Sequence, residues 1–127
     1  MLQDLLTGEI IDAAIKVHKA LGPGLFESVY EEVLAYELSK RKKVVERQVP
    51  IPVYYEDIKM DIGFRADLLV DREVIVEIKS VEAIKPVYKK QVLTYLRLTK
   101  NKIGLLINFN EELLKDGVTR LYNNQIK

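Results

Sequence analysis

FRADLLVDREVIVEIKS, from Phe64 to Ser80, is two short apolar runs flanking Asp71-Arg72-Glu73, and it reads as a β-hairpin. A loop made of those three residues opposes Val70 to Val74, Leu68 to Val76 and Ala66 to Ile78, so that one face consists wholly of apolar pairs. The same register sets Asp67 directly opposite Glu77, and Lys79, two positions on, shares the face of Glu77. A two-residue loop would instead oppose Ala66 to Glu77 and Asp67 to Val76, mixing charge into the apolar face. The longer loop is therefore expected. Carboxylates facing each other at about 4.5–5.5 Å between Cβ atoms destabilise a sheet unless something compensates them. Lys79 supplies part of that compensation, and a bound cation would supply more. The alternative is a solvated strand face with an ordinary Glu–Lys pair, which is common where 31% of residues are charged.

Upstream, Leu6, Ile10, Ile11, Ala14, Ile15, Val17 and Leu21 recur at helical spacing until Gly22-Pro23-Gly24 breaks the pattern. A second helix is expected from near Leu25 to about Lys42, with Phe26, Val29, Tyr30, Val33 and Leu34 as its apolar stripe. The β-branched residues Val44, Val45, Val49, Ile51 and Val53 then indicate a strand, and Pro50 and Pro52 suit a sheet edge or a bulge. Tyr54 to Asp57 reads as a turn, and strands are expected near Asp61–Val70 and Glu73–Ser80. Downstream, Pro86 opens a helix ending near Thr99, Ile103–Phe109 is an apolar strand, Glu111–Lys115 a helical turn, and Val118–Tyr122 a last strand. This order of elements calls for an α/β fold, a mixed sheet covered by helices.

A chain of 127 residues that is 48% hydrophobic can build one ordinary core, so a single domain spanning 1–127 is expected. Its 20 Lys+Arg against 19 Asp+Glu leave a charge of +1, so any nucleic-acid binding must come from local patches. The absence of cysteine excludes disulfides, thiolate zinc sites and a Cys nucleophile, and the single His excludes zinc held by several imidazoles. A hard cation held by carboxylates remains open. No apolar run approaches the ~20 residues that span a bilayer, and the first residues lack a basic stretch followed by an apolar one. No membrane association and a cytoplasmic location are the expectations.

Asp67…Glu77-x-Lys79 resembles the signature of the PD-(D/E)XK nuclease superfamily, with Ala66 standing where the family name has Pro. The run from Val17 to Tyr30 resembles the hallmark of the GxxExxY proteins, a branch of that superfamily, with Gly24, Glu27 and Tyr30 at its named positions. Gln91-x-x-x-Tyr95 is similar to a helix motif of RecB-type exonucleases in the same superfamily. The resemblance covers about Ile10 to Tyr122. It implies a restriction-endonuclease-like three-layer core, a central mixed β-sheet flanked by α-helices. It further implies a nuclease cleaving phosphodiesters of nucleic acid, most naturally DNA, with Mg²⁺ or substitute Mn²⁺ held by Asp67, Glu77, the Ile78 carbonyl and Glu27. Lys79 would activate water, and Gln91 would join Asp67, Glu77, Lys79 and Glu27 as a catalytic residue. A homodimer is the expected assembly. The competing expectations are a nuclease-like binding or assembly module without turnover, and a structural homo-oligomer whose acidic face is incidental.

The remaining candidates have plain readings beside the functional ones. Glu27, at the border of the apolar stripe, can face the site or simply favour the helix dipole. His18 lies inside the apolar arc of the first helix and is either a hydrogen-bonded core residue or a group supporting Glu27 or a phosphate. Gln91 sits in an arc with Val87, Tyr88, Val92, Tyr95 and Leu98, so a polar partner is expected for it, either backbone or the site. Tyr95 is core or shares that duty, and Tyr30 is expected to support the site. Lys40-Arg41-Lys42-Lys43 complements a helix C-terminus. Lys85, Lys89, Lys90, Arg97, Lys100 and Lys102 form a solvated face or a phosphate contact, and Tyr54 and Tyr55 pack over a sheet edge or stack on bases.

Overall fold

A computed structural model describes residues 2–124. Two helices, α1 (Leu2–Leu21) and α2 (Glu27–Lys40), lead into the strands β1 (Val45–Ile51), β2 (Tyr54–Tyr55), β3 (Ile58–Lys59), β4 (Phe64–Val70) and β5 (Val74–Lys79). Helix α3 (Pro86–Thr99), strand β6 (Ile103–Asn108), a 3₁₀ turn (Leu114–Gly117) and strand β7 (Val118–Tyr122) follow. Five strands form one sheet in the order β1-β4-β5-β6-β7, antiparallel except for the parallel β5–β6 pair, which is joined through α3. The expected turn at Tyr54–Asp57 is instead a small separate hairpin, β2 with β3, folded about left-handed Glu56 and Asp57.

The helices cover opposite faces of the sheet. Under α1 and α2, Ile10, Ala14, Tyr30, Leu34 and Leu38 pack with Leu68, Val70, Val74, Val76, Ile78, Leu105 and Ile107. Under α3, Val92, Tyr95 and Leu96 pack with Ile51, Ala66, Ile75 and Leu106. This is the expected three-layer α/β arrangement, and each apolar stripe is narrower than its spacing suggests. Phe26 and Val29 are exposed, because α2 begins only at Glu27 and turns Tyr30, Leu34 and Leu38 inward. Val87 and Leu98 of α3 are exposed as well.

The β4–β5 hairpin has the expected register, Leu68↔Val76, Leu69↔Ile75 and Val70↔Val74. Asp71 and Arg72 are left-handed and the Glu73 N–H returns to the Val70 carbonyl, which closes the three-residue loop. Val44 locks that loop from outside: its N–H donates to Asp71 Oδ1 at 2.8 Å, and its carbonyl accepts the Asp71 N–H at 2.7 Å. Ala66 departs from expectation. It leaves the apolar face of Leu68 and packs in the core under α3. The edge strand β1 changes face in the same way, with Val45 packed toward α1 and α2 and Ile51 toward α3, although an even spacing should keep both on one face.

Between α1 and α2, Gly22 and Gly24 adopt φ +74° and +96°, which an L side chain resists. Tyr30 fastens this turn, its hydroxyl donating to the Gly22 carbonyl at 2.5 Å and accepting the Leu25 N–H at 3.1 Å. Its ring stacks on Phe109 at 4.4 Å. The basic run ending α2 does more than complement a dipole: Arg41 bridges Glu37 and Asp12, and Lys43 reaches Glu9, tying α2 to α1.

Candidate active site

Beyond Leu68↔Val76 the β4–β5 ladder stops, and side chains take over its hydrogen bonds. The Asp67 N–H donates to Glu77 Oε1 at 2.9 Å, and the Ile78 N–H donates to Asp67 Oδ2 at 2.8 Å. Two strands that would have met backbone to backbone are thus wedged apart by two carboxylates. Burial and then the Asp67 charge push the Glu77 carboxyl up to about 8. Asp67 is also raised, chiefly by burial, with the Glu31 charge adding to it and the Ile78 N–H opposing it. Both acids are held down in part by the charge of Lys79.

Lys79 forms no ion pair with either acid among the described residues. Its Nζ stands 4.6 Å from the centre of the Tyr88 ring, a cation–π contact supplied by α3. One turn apart on the same helix are Gln91 and Tyr95. Tyr95 is buried, touches Phe64 ring to ring at 5.4 Å, and has its phenol pushed up to about 12 by burial and by the Glu77 and Asp67 charges. Gln91 is only half-buried and makes no side-chain hydrogen bond among the described residues, so water can satisfy its amide in place of the expected backbone or site partner.

Glu27 is exposed at the first turn of α2, and its Oε2 accepts the Ser80 N–H at 3.1 Å. Ser80 Oγ donates back to the Leu25 carbonyl at 2.6 Å, so the start of α2 is buttoned to the end of β5. The Glu27 charge reaches Glu77 and raises its pKa. Glu27 does not, however, complete a ligand cluster: no three His, Asp or Glu side chains lie together closely enough to hold a metal ion among the described residues. Neither His18 nor Tyr30 hydrogen-bonds to Asp67, Glu77 or Glu27 among the described residues. His18 Nε2–H donates to the Glu111 carbonyl at 2.7 Å and joins α1 to the segment after β6, while Tyr30 is spent on the Gly22–Leu25 turn.

Three residues at this site escaped the reading of the sequence. Buried Glu31 lies one helical turn after Glu27, and its carboxylate accepts Arg47 Nε–H at 3.0 Å and Gln48 Nε2–H at 2.6 Å. Gln48 also donates to Asp67 Oδ1 at 3.2 Å. The available signal was the i,i+4 pair of like charges, Glu27 and Glu31, which costs an isolated helix a few tenths of a kcal/mol and asks for a reason. Tyr88 was visible only as part of an apolar arc.

A family model for the PD-(D/E)XK nuclease superfamily matches residues 4–121. Comparison with curated proteins gives no match, and neither does comparison with solved structures.

Proposed function

The chain belongs to the PD-(D/E)XK nuclease superfamily, and on that premise we propose that it is a metal-dependent nuclease hydrolysing phosphodiester bonds of DNA. The observation that carries this reading is the opening of the β4–β5 ladder at Asp67 and Glu77, where two electrostatically strained carboxylates face one gap. In an antiparallel ladder a residue's N–H and C=O address the same neighbour, so with its N–H on Asp67 the Ile78 carbonyl faces that gap too. Two carboxylates and a carbonyl suit Mg²⁺, which keeps several waters beside one or two carboxylates, with Mn²⁺ as substitute. Positive charge there would offset the burial and the Asp67 repulsion that together raise Glu77. Asp67, Glu77 and Ile78 are the proposed ligands, and Glu27 acts through water.

Such a cation, when bound, stabilises charge on the phosphate and lowers the pKa of a coordinated water. The chain's own groups supply the rest. The Lys79 ammonium orients the attacking water and offsets charge growing on the phosphate, while the Tyr88 ring beneath holds it in place. On α3, Tyr95 feels the Glu77 and Asp67 charges, and Gln91, one turn before it, is assigned to the same gap. The exposed Lys85, Lys89, Lys90, Arg97, Lys100 and Lys102 carry the phosphate backbone, and exposed Tyr54 and Tyr55 stack on bases.

Within the superfamily we assign the chain to the GxxExxY branch, because Gly24 permits the left-handed turn, Tyr30 locks it and Glu27 ties it to β5. A single cytoplasmic domain that grips duplex DNA as a homodimer completes the proposal. No helix among the described residues is long and apolar enough to cross a membrane.

A second reading, a nuclease-fold binding or assembly module without turnover, draws on the lack of a three-acid cluster among the described residues and on the charge of +1. Calorimetric titration with Mg²⁺ and Mn²⁺, followed by nicking assays on single-stranded, duplex and branched DNA, separates the two. Binding with cleavage supports the nuclease, binding without cleavage of any substrate supports the module, and no binding rejects the metal site.

A further inference from the structure

Gln48 lies on β1 opposite Asp67, since the flanking pairs are Arg47↔Leu68 and Val49↔Ala66. It is left-handed, φ +50°, in the middle of a seven-residue strand where no turn asks for that conformation. Neighbouring side chains on a regular strand point to opposite faces, yet Arg47 and Gln48 both reach the Glu31 carboxylate, at 3.0 and 2.6 Å. The left-handed residue makes this possible. It also coincides with the point where both strands change face, between Val45 and Ile51 on β1 and between Ala66 and Leu68 on β4.

We propose that Gln48 is a positioning residue for Asp67, its backbone kinked so that one carboxamide spans Glu31 and Asp67. The inference rests on the reading of Asp67 as a cation ligand. A primary amide has two N–H hydrogens, one for each carboxylate. With Arg47 anchoring Glu31, the chain Arg47–Glu31–Gln48 ends on Asp67 Oδ1, while the Ile78 N–H takes Oδ2. Asp67 is therefore fixed at both oxygens, and each keeps a lone pair directed elsewhere. Gln48 itself is exposed, so its side chain is held by its two acceptors and not by packing. Backbone strain at a residue that adds nothing to the core points to the site it orients.

The test is Mn²⁺ binding to wild type and to Gln48→Gly, followed by calorimetry alongside thermal unfolding of the metal-free proteins. Glycine accepts the left-handed backbone and removes a side chain that is exposed and carries the amide, so this variant keeps the fold. The expected result is a Kd for Mn²⁺ weakened about tenfold to a hundredfold, the range for groups that orient metal ligands, with an unfolding midpoint no lower than wild type. Gln48→Asn, which tolerates the same backbone but is one methylene short, should fail to restore the affinity. An unchanged Kd in Gln48→Gly overturns the inference and leaves the metal site standing. Wild type that binds no Mn²⁺ overturns both.

Discussion

Replacing Glu77 by Gln should make the metal-free protein more stable at alkaline pH, although the substitution strikes the centre of the proposed active site. Glu77 is 5% exposed, and its carboxyl is raised from 4.5 to about 8 by burial and the Asp67 charge. A carboxyl that holds its proton more tightly when folded contributes stability that is complete below pH 4.5 and is lost as pH rises to about 8. At about 1.4 kcal/mol for each pH unit, the wild-type loss across that window has a ceiling of about 5 kcal/mol, and water entering the opened ladder reduces it. Gln keeps an oxygen to accept the Asp67 N–H and carries no charge to bury. The two proteins should therefore match in urea midpoint near pH 4.5 and diverge steadily, Glu77→Gln being the more stable by on the order of 2–5 kcal/mol at pH 9 in EDTA. Mn²⁺ at a hundred times its Kd should then return about 2.7 kcal/mol to wild type and nothing to the variant. Parallel pH profiles for the two proteins, or a variant less stable at pH 9, would refute the claim that this carboxylate is buried under electrostatic strain.

Three further outcomes follow from the contacts. Lys79→Ala should fold, losing about 0.5–1 kcal/mol with the Tyr88 contact, and should bind Mn²⁺ no more weakly than wild type by calorimetry, since it removes a positive neighbour of the acids. Tyr30→Phe keeps the ring stack on Phe109 but strands the Gly22 carbonyl and the Leu25 N–H, so urea unfolding should register a loss of about 1–3 kcal/mol. His18→Ala should lower the thermal midpoint through the lost Glu111 bond, and the same sample titrated with Mn²⁺ should show a wild-type Kd.

The sheet's central hairpin was legible because a single loop length gathers its apolar residues on one face, and the observed register obeys that rule. Where the hairpin opens was not legible. That depends on carboxylates capturing backbone N–H groups and on left-handed Gln48 across the neighbouring strand, neither of which has a local sequence pattern. Ala66 looked like the end of an apolar face and belongs to the opposite core for the same reason. Helix faces were blurred at their edges, since Phe26, Val29, Val87 and Leu98 fit the spacing but lie beyond the area the sheet can cover. Glu77, Lys79, Glu27 and Tyr95 could be chosen from sequence because each is two positions or one turn from another candidate, and Asp67 because the hairpin register sets it opposite Glu77. Glu31 could have been, and Gln48 could not, because its link to Asp67 exists only through the pairing of β1 with β4.

Cleavage of end-labelled DNA by wild type and Lys79→Ala, each with Mg²⁺ or Mn²⁺ and with EDTA controls, bears most directly on the proposed chemistry. Wild type should cut only with metal present, and Lys79→Ala should fall by about 10²–10⁴-fold while keeping its fold and its metal affinity. A Lys79→Ala protein as active as wild type, or cutting that survives EDTA, would contradict the account.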